Sequence, residues 1–76
     1  MATKDISDRQ VVQASADSHA VRLAVRPMEF LAERTGQPEK VCYRAMERAY
    51  RHGLIEFGVS LETAWPTDRG KEVLAA

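Results

Sequence analysis

The first helical pattern in the chain begins at a clear start signal. Ser7 is a favoured N-cap residue, and Gln10 three residues later completes a capping box, in which each side chain bonds the backbone N–H of the other residue. Asp8 follows in the first turn, where a negative charge interacts favourably with the helix dipole. These signals predict a first helix over residues 8–15. Its inward side is predicted to hold Val11, Val12 and Ser15.

The next segment, AVRLAV at residues 20–25, alternates between two sets of side chains. Val21, Leu23 and Val25 fall on one side at a period of two, which is typical of a short strand. A helix over the same residues is the alternative, because Leu and Ala are good helix formers. The segment ends before Pro27, since proline disfavours helix in the residue that precedes it.

Two helices with a short connection follow. Proline suits the first position of a helix and Gly36 is a typical C-cap, so PMEFLAERT is predicted to form the second helix. Gly36 and Pro38 stand two residues apart, which predicts a tight turn. The third helix is predicted from Pro38 to a second C-cap glycine, Gly53. The apolar side of the second helix holds Met28, Leu31 and Ala32, with Phe30 beside it.

The third helix separates its side chains onto two faces at about 100° per residue. The apolar face holds Val41, Cys42, Ala45, Met46 and Ala49. The opposite face holds Lys40, Arg44, Glu47 and Arg51, with Tyr43 and Arg48 at its borders. One face therefore fits a protein core, and the other is expected to be exposed and mostly basic.

A β-hairpin is predicted after the third helix. GVSL at residues 58–61 has the length of a hairpin loop, with Gly58 expected at positive φ. Trp65 is expected to cover the core beneath the hairpin, and an exposed anchor for a partner is the alternative reading of this residue. The strand-forming residues are Leu54, Ile55 and Phe57 before the loop, and Ala64 and Trp65 after it.

A short fourth helix is predicted at the end of the chain. Thr67 is a plausible N-cap, and Asp68 and Arg69 fill the first turn. Val73 and Leu74 supply an apolar end. Gly70 interrupts this helix, so its stability is expected to depend on packing against the rest of the protein.

The order of these elements resembles a winged helix-turn-helix, in which two helices joined by a tight turn precede a β-hairpin. Two stretches carry the resemblance in sequence. AMERAYRHGLIEF is similar to the end of a recognition helix that runs into a first wing strand, and PTDRGKEVL is similar to the segment after the second wing strand in MarR-like regulators. The resemblance covers about residues 20–75. MarR-like proteins have long terminal helices that build their dimer, and this chain is too short to contain such helices.

The resemblance implies an α+β, mostly helical fold: a small winged helix-turn-helix with a three-helix core, a β-hairpin wing and a short C-terminal helix. This single domain would occupy residues 6–76, after a flexible N-terminal tail at residues 1–5. Very small winged helices of this kind are similar to phage and prophage accessory proteins. Short terminal helices leave little surface for a large interface, so a monomer or a weak homodimer is expected.

In the families that the chain resembles, the third helix enters the major groove of double-stranded DNA and the wing touches the neighbouring backbone. The resemblance therefore implies a small DNA-binding protein with a role in transcription regulation or in phage-type DNA housekeeping. Arginine can bind guanine, Glu47 can accept a hydrogen bond from cytosine, and Lys40 suits a phosphate. Arg22, Arg26 and Arg34 would extend this surface if the fold brings them alongside. The predicted DNA-contacting residues are Lys40, Tyr43, Arg44, Glu47, Arg48 and Arg51.

Two alternatives stand beside DNA binding. The first is that the charged face of the third helix is only solvated, as charged helix faces often are. Glu47 lies three residues from Arg44 and four from Arg51, close enough for surface ion pairs.

The hairpin contains Glu56 and Glu62 but no lysine or arginine, whereas a wing that contacts DNA normally carries a basic residue. The second alternative is therefore a protein-interaction module on the same fold. Its surface would be the apolar, acidic wing around Phe57, Leu61 and Trp65.

Composition narrows the class of protein. The chain has 76 residues, of which 45% are hydrophobic and 29% charged, as expected for one globular domain. Eleven basic and eleven acidic residues give a net charge of zero, so the distribution of charge matters more than its sum. The single cysteine excludes an intramolecular disulfide, and no apolar run approaches the roughly 18 residues of a membrane span. With a charged N-terminal segment unlike a signal peptide, a cytoplasmic protein is expected.

Residues that could carry catalysis are few. His19, His52 and Cys42 have no zinc-binding spacing, and the isolated glycines form no phosphate-binding loop. Cys42 lies on the predicted apolar face, where a small buried hydrophobe is expected rather than a nucleophile. We therefore expect no enzymatic activity, no metal and no cofactor.

Overall fold

The structure, a computed structural model, describes residues 6–22, 24–58 and 63–75, and within these ranges the chain forms four helices and a two-stranded antiparallel hairpin. This confirms the prediction of a mostly helical α+β fold. In chain order the elements are α1 Asp8–Ala20, α2 Pro27–Thr35, α3 Glu39–Arg51, β1 Ile55–Glu56, β2 Trp65–Pro66 and α4 Asp68–Ala75. Helix α1 packs against α2, α3, α4 and β2, so it forms the centre of the structure.

Helix α1 begins where the sequence predicts and ends later. The capping box is present: the Ser7 hydroxyl accepts from the Gln10 backbone N–H at 3.1 Å, and the Gln10 side chain accepts from the Ser7 N–H at 2.9 Å. The predicted end at residue 15 is wrong, because the helix continues to Ala20. Ser18 lies in this added part, fully buried, and its hydroxyl donates to the Val25 carbonyl at 2.7 Å. A tertiary contact therefore stabilises a segment whose local signals are weak.

The strand predicted over residues 21–25 is also wrong. Val21 is the C-cap of α1 and is 43% exposed, and the chain turns at Arg22, whose φ is +54°. The Arg22 N–H donates to the His19 carbonyl at 3.0 Å, which is turn geometry rather than strand pairing. Leu23 lies outside the described residues. A period of two over so few positions did not decide the structure: α1 ends at Ala20, and the described residues 21, 22, 24 and 25 form turns and bends, so the helical alternative is not formed either.

The connection between α2 and α3 matches its prediction. Gly36 adopts a left-handed conformation with φ +72°, and its N–H donates to the Ala32 carbonyl at 2.9 Å, as a C-cap glycine does. Helix α3 begins at Glu39, one residue later than predicted, with Pro38 as its N-cap. Gly53 follows the helix with φ +76°. The two helices are thus joined by only three residues, 36–38.

The hairpin is shorter than predicted, with two residues in each strand. Ile55 pairs with Pro66 and Glu56 pairs with Trp65. The predicted loop lies mostly outside the described residues. Gly58 is described, and it does not take the positive φ that we expected, so the chain leaves β1 without a left-handed residue at that position.

The predicted start of α4 is confirmed. The Thr67 hydroxyl accepts from the Gly70 N–H at 3.1 Å, which is N-cap geometry. The same hydroxyl donates to the Gly53 carbonyl at 2.6 Å, and the Thr67 N–H donates to the Leu54 carbonyl at 3.0 Å. One threonine therefore connects α4 to the segment between α3 and β1.

The core is built from the predicted inward faces. On α3, Cys42, Ala45, Met46 and Ala49 are buried as expected, whereas Val41 is only half-buried. The predicted inward positions of α1 are all fully buried. The apolar core residues are Ile6, Val11, Val12, Ala14, Met28, Leu31, Cys42, Ala45, Met46, Ala49, Leu54, Ile55 and Ala64.

Ser15 is a weak point of this core. Its buried hydroxyl has no hydrogen-bond partner among the described residues, and an unsatisfied buried hydroxyl costs free energy relative to an apolar side chain. We expect Ser15→Ala to raise the free energy of unfolding by about 1 kcal/mol, as measured by urea denaturation. The control is Ser18→Ala, which removes a satisfied buried hydroxyl and is expected to lower the free energy by about 1 kcal/mol. A Ser15→Ala protein no more stable than the wild type would contradict the first expectation.

Candidate nucleic-acid interface

A stripe of charged side chains runs along the outer face of α3. Lys40, Arg44, Glu47 and Arg51 are all exposed, at spacings of four, three and four residues that keep them on one side of the helix. Among the described residues none of these four forms an ion pair within 4 Å, and the surface pairs of Glu47 with its neighbouring arginines are not formed. We call these four residues the α3 stripe. Its three cations and one carboxylate are available to an outside partner.

The two border residues of the predicted site have different surroundings. Tyr43 is half-buried and packs against the core. Arg48 points toward α1: its Nε donates to Asp8 Oδ1 at 3.0 Å, and an Nη donates to the Ile6 carbonyl. The structure therefore brings four of the six predicted residues together on the exposed face and gives Arg48 a partner elsewhere.

Asp8 joins the start of α1 to the end of α3. Its second carboxylate oxygen lies 3.0 Å from His52 Nδ1, so Asp8 binds both Arg48 and His52. Burial alone would raise the pKa of Asp8, but the hydrogen bonds from His52 and Arg48 outweigh burial and leave this pKa below its ordinary value. Sequence reasoning missed this contact, because the partners lie 40 and 44 residues apart.

Arg34, one of the three arginines considered as an extension of the stripe, has partners on α1 and α2. Arg34 donates to Asp17 at 2.6 Å, and its guanidinium lies 4.7 Å from the centre of the Phe30 ring. This side chain therefore connects α2 to α1. Arg22 and Arg26 are exposed in and beside the connection between those two helices.

A shallow groove lies between the end of α3 and the hairpin. It consists of two adjoining depressions of about 370 and 420 Å³ that share Tyr50, Arg51 and Phe57. Glu47 lines the first depression and Glu56 lines the second. The Tyr50 and Phe57 rings are in contact, with centroids 4.7 Å apart. We call this feature the hairpin groove.

Trp65, expected to cover the core, is half-buried on another side of the hairpin. Its ring meets the His19 ring edge-on, with centroids 6.0 Å apart. A separate depression of about 330 Å³ lies here, with Lys71 in its lining. Leu61, the third residue of the predicted protein-binding wing, lies outside the described residues. Among the described residues of the predicted wing surface, Glu56 and Phe57 line the hairpin groove, whereas Trp65 lines the separate depression.

Cys42 has the surroundings of a core residue. It is fully buried, and burial raises the pKa of its thiol, which disfavours the reactive thiolate. Within ranges 6–22, 24–58 and 63–75, no three His, Cys, Asp or Glu side chains come together in a way that could hold a metal ion. No helix in those ranges has the length and apolar character needed to cross a membrane.

Comparisons of the chain with protein-family models, curated proteins and solved structures gave no significant match. Function must therefore be inferred from the arrangement of the side chains. The α3 stripe and the hairpin groove are the two surfaces on which such an inference can be built.

Proposed function

We propose that the protein is a winged helix-turn-helix DNA-binding protein that reads the major groove with α3. The observation that carries this proposal is the α3 stripe, whose cations form no ion pairs with the described residues. The stripe follows a three-residue turn after α2, and helices joined in this way present the second helix to DNA in helix-turn-helix proteins. Regulation of transcription is the role we infer from such a surface.

The residue types in the stripe suit base recognition. Arg44 and Arg51 can donate two parallel hydrogen bonds to guanine, and Glu47 can accept from the amino group of cytosine. Lys40 lies in the first turn of α3, where its charge and the N-terminal backbone N–H groups would meet a phosphate. At 1.5 Å per residue, thirteen residues span about 20 Å, enough to cross a groove about 12 Å wide.

Zero net charge is compatible with this role. Asp8 and Asp17 are occupied by ion pairs with Arg48 and Arg34 inside the fold. The stripe itself carries three positive charges and one negative charge. The electrostatic attraction to phosphate is therefore local to α3, and binding is expected to be modest and strongly dependent on salt.

The hairpin acts in this proposal as a support for α3 rather than as a contact to phosphate. Leu54 and Ile55 are buried beneath the end of the helix, and Thr67 bonds the Gly53 carbonyl. Glu56 is exposed and would repel the DNA backbone. DNA contact is thus assigned to the stripe, with Lys40 and Arg44 furthest along α3 from the acidic hairpin.

An NMR titration tests the proposal directly. On addition of a mixed-sequence DNA duplex at low salt, we expect amide shifts along residues 40–51 that reverse when salt is added, because phosphate contacts release counterions. Shifts confined to other elements, or no shifts at all, would contradict the proposal. Tyr43 and Arg48 are expected to shift less than the stripe because their side chains face the protein.

Arg44→Ala tests the central residue of the stripe. We expect duplex binding, measured by fluorescence anisotropy at low salt, to weaken about five- to tenfold, since one charge and its hydrogen bonds are lost. Arg69→Ala is the matched control, because it removes the same charge from an exposed position on α4. Equal losses for the two variants would show that Arg44 contributes only to overall charge and is no part of the binding site.

A further inference from the structure

We propose that the hairpin groove, which overlaps the α3 stripe at Glu47 and Arg51, binds an arginine side chain of a protein partner. The groove presents two aromatic rings in contact, and Tyr50 is 46% exposed although it is a large side chain. Exposed aromatic surface next to carboxylates is the chemistry that recognises a cation, since the ring faces and the carboxylates both attract positive charge. The proposal does not depend on DNA binding.

Charge in the groove favours a cation over an anion. Glu47 and Glu56 supply two carboxylates, whereas Arg51 supplies one positive charge. Among the described residues neither carboxylate forms an ion pair within 4 Å, so both can accept hydrogen bonds from a ligand. A phosphate would meet a net negative lining here, which argues against nucleic acid as the occupant.

An arginine fits this lining better than a lysine does. Its planar guanidinium can stack on the face of Tyr50 while its fork of N–H groups binds a carboxylate, whereas an ammonium is a compact point charge. The two depressions have volumes of about 370 and 420 Å³, and both are open to solvent. A single side chain projecting from a peptide can therefore enter without rearrangement of the core.

The first experiment uses two peptide probes that differ in one group. Each is an acetylated and amidated pentapeptide of glycine and alanine, with either arginine or its neutral isostere citrulline at the centre. We expect the arginine peptide, titrated into the labelled protein at millimolar concentration, to shift the amides of residues 50–57. The citrulline peptide should shift them at least about threefold less, as one exposed charge pair is worth up to about fivefold in affinity. Equal shifts from both probes, or none, would overturn the proposal.

Three substitutions then locate the site, and one of them separates it from DNA reading. Glu56→Gln should weaken binding of the arginine peptide about two- to fivefold, while the control Glu72→Gln on α4 should leave it unchanged. Arg51→Gln should strengthen peptide binding about two- to fivefold by removing repulsion, yet weaken DNA binding. Weaker peptide binding by Arg51→Gln, or no difference between Glu56→Gln and Glu72→Gln, would overturn the assignment. If the protein does not bind DNA, the expected differences in peptide binding remain the same.

Discussion

Gly70→Ala is expected to lower the free energy of unfolding by about 2 kcal/mol, although alanine is the better helix former. A Cβ at this position would lie 2.1 Å from the Leu54 carbonyl oxygen and 3.3 Å from Val12 Cγ1. The first distance is far below van der Waals contact and involves backbone, so α4 would have to move away from the chain after α3. Overpacking of this kind costs about 1–3 kcal/mol or more, and the gain in helix propensity returns about 1 kcal/mol.

Thermal unfolding followed by circular dichroism measures this effect. For a domain of this size, the expected loss corresponds to a fall in Tm of roughly 10–15 °C. Gly58→Ala is the control, because among the described residues a Cβ there would meet the Trp65 ring at an ordinary 3.9 Å, and the backbone has no positive φ. Its Tm should stay within a few degrees of the wild type. A Gly70→Ala protein with unchanged Tm would show that α4 does not approach Leu54 this closely.

Asp8→Asn is expected to lower the free energy of unfolding by about 1–2 kcal/mol at neutral pH. The substitution removes a charge that binds Arg48 and His52, and it leaves the Arg48 guanidinium half-buried without its anion. The expected loss of stability is small because the Asp8 side chain is 29% exposed and water screens the interaction. Urea denaturation of the two proteins at the same pH measures the difference.

The stability lost in Asp8→Asn should decrease as the pH falls. The pKa of Asp8 is lowered in the folded protein from its ordinary 3.8, so its contribution is fully present above that value and disappears as pH falls through the folded pKa. The stability difference between wild type and Asp8→Asn should therefore be largest near neutral pH and shrink below about pH 4. A difference that does not vary over this range would contradict the ion pair.

Asp68→Asn is the matched control for the effect of the helix dipole. Asp68 opens α4 directly after its N-cap, as Asp8 opens α1, but it is exposed and forms no ion pair with the described residues. Its substitution should cost only a few tenths of a kcal/mol. If the two variants lose equal stability, the effect at Asp8 comes from the dipole and not from Arg48 and His52.

Helix starts and C-cap glycines were predictable because their signals are local. A Ser7 side chain reaches the backbone three residues away whatever the rest of the chain does, and the same is true of Thr67 before α4. Gly36 has no Cβ, so it adopts the left-handed conformation without the steric cost that another residue would have. All four helices thus begin at or within one residue of their predicted positions, for reasons contained in a few neighbouring residues.

The candidate site was predictable only in part. The spacing of Lys40, Arg44, Glu47 and Arg51 places them on one face of any α-helix, opposite a buried face. The direction of Arg48 was not predictable, because it depends on how α1 packs across α3. The groove beside Tyr50 and Phe57 likewise exists only where the hairpin folds back against the helix.

The sequence by itself determined where most helices begin, which faces they bury and that the exposed side of α3 is basic, since these follow from spacing and capping within single elements. Only the tertiary structure decided the end of α1, the loss of the predicted strand and the partners of Asp8. The Ser18 bond to Val25, the Asp8 contacts with Arg48 and His52 and the approach of Gly70 to Leu54 each join a residue of one helix to a residue outside that helix. Such contacts form only when helices pack, so no local pattern contains them.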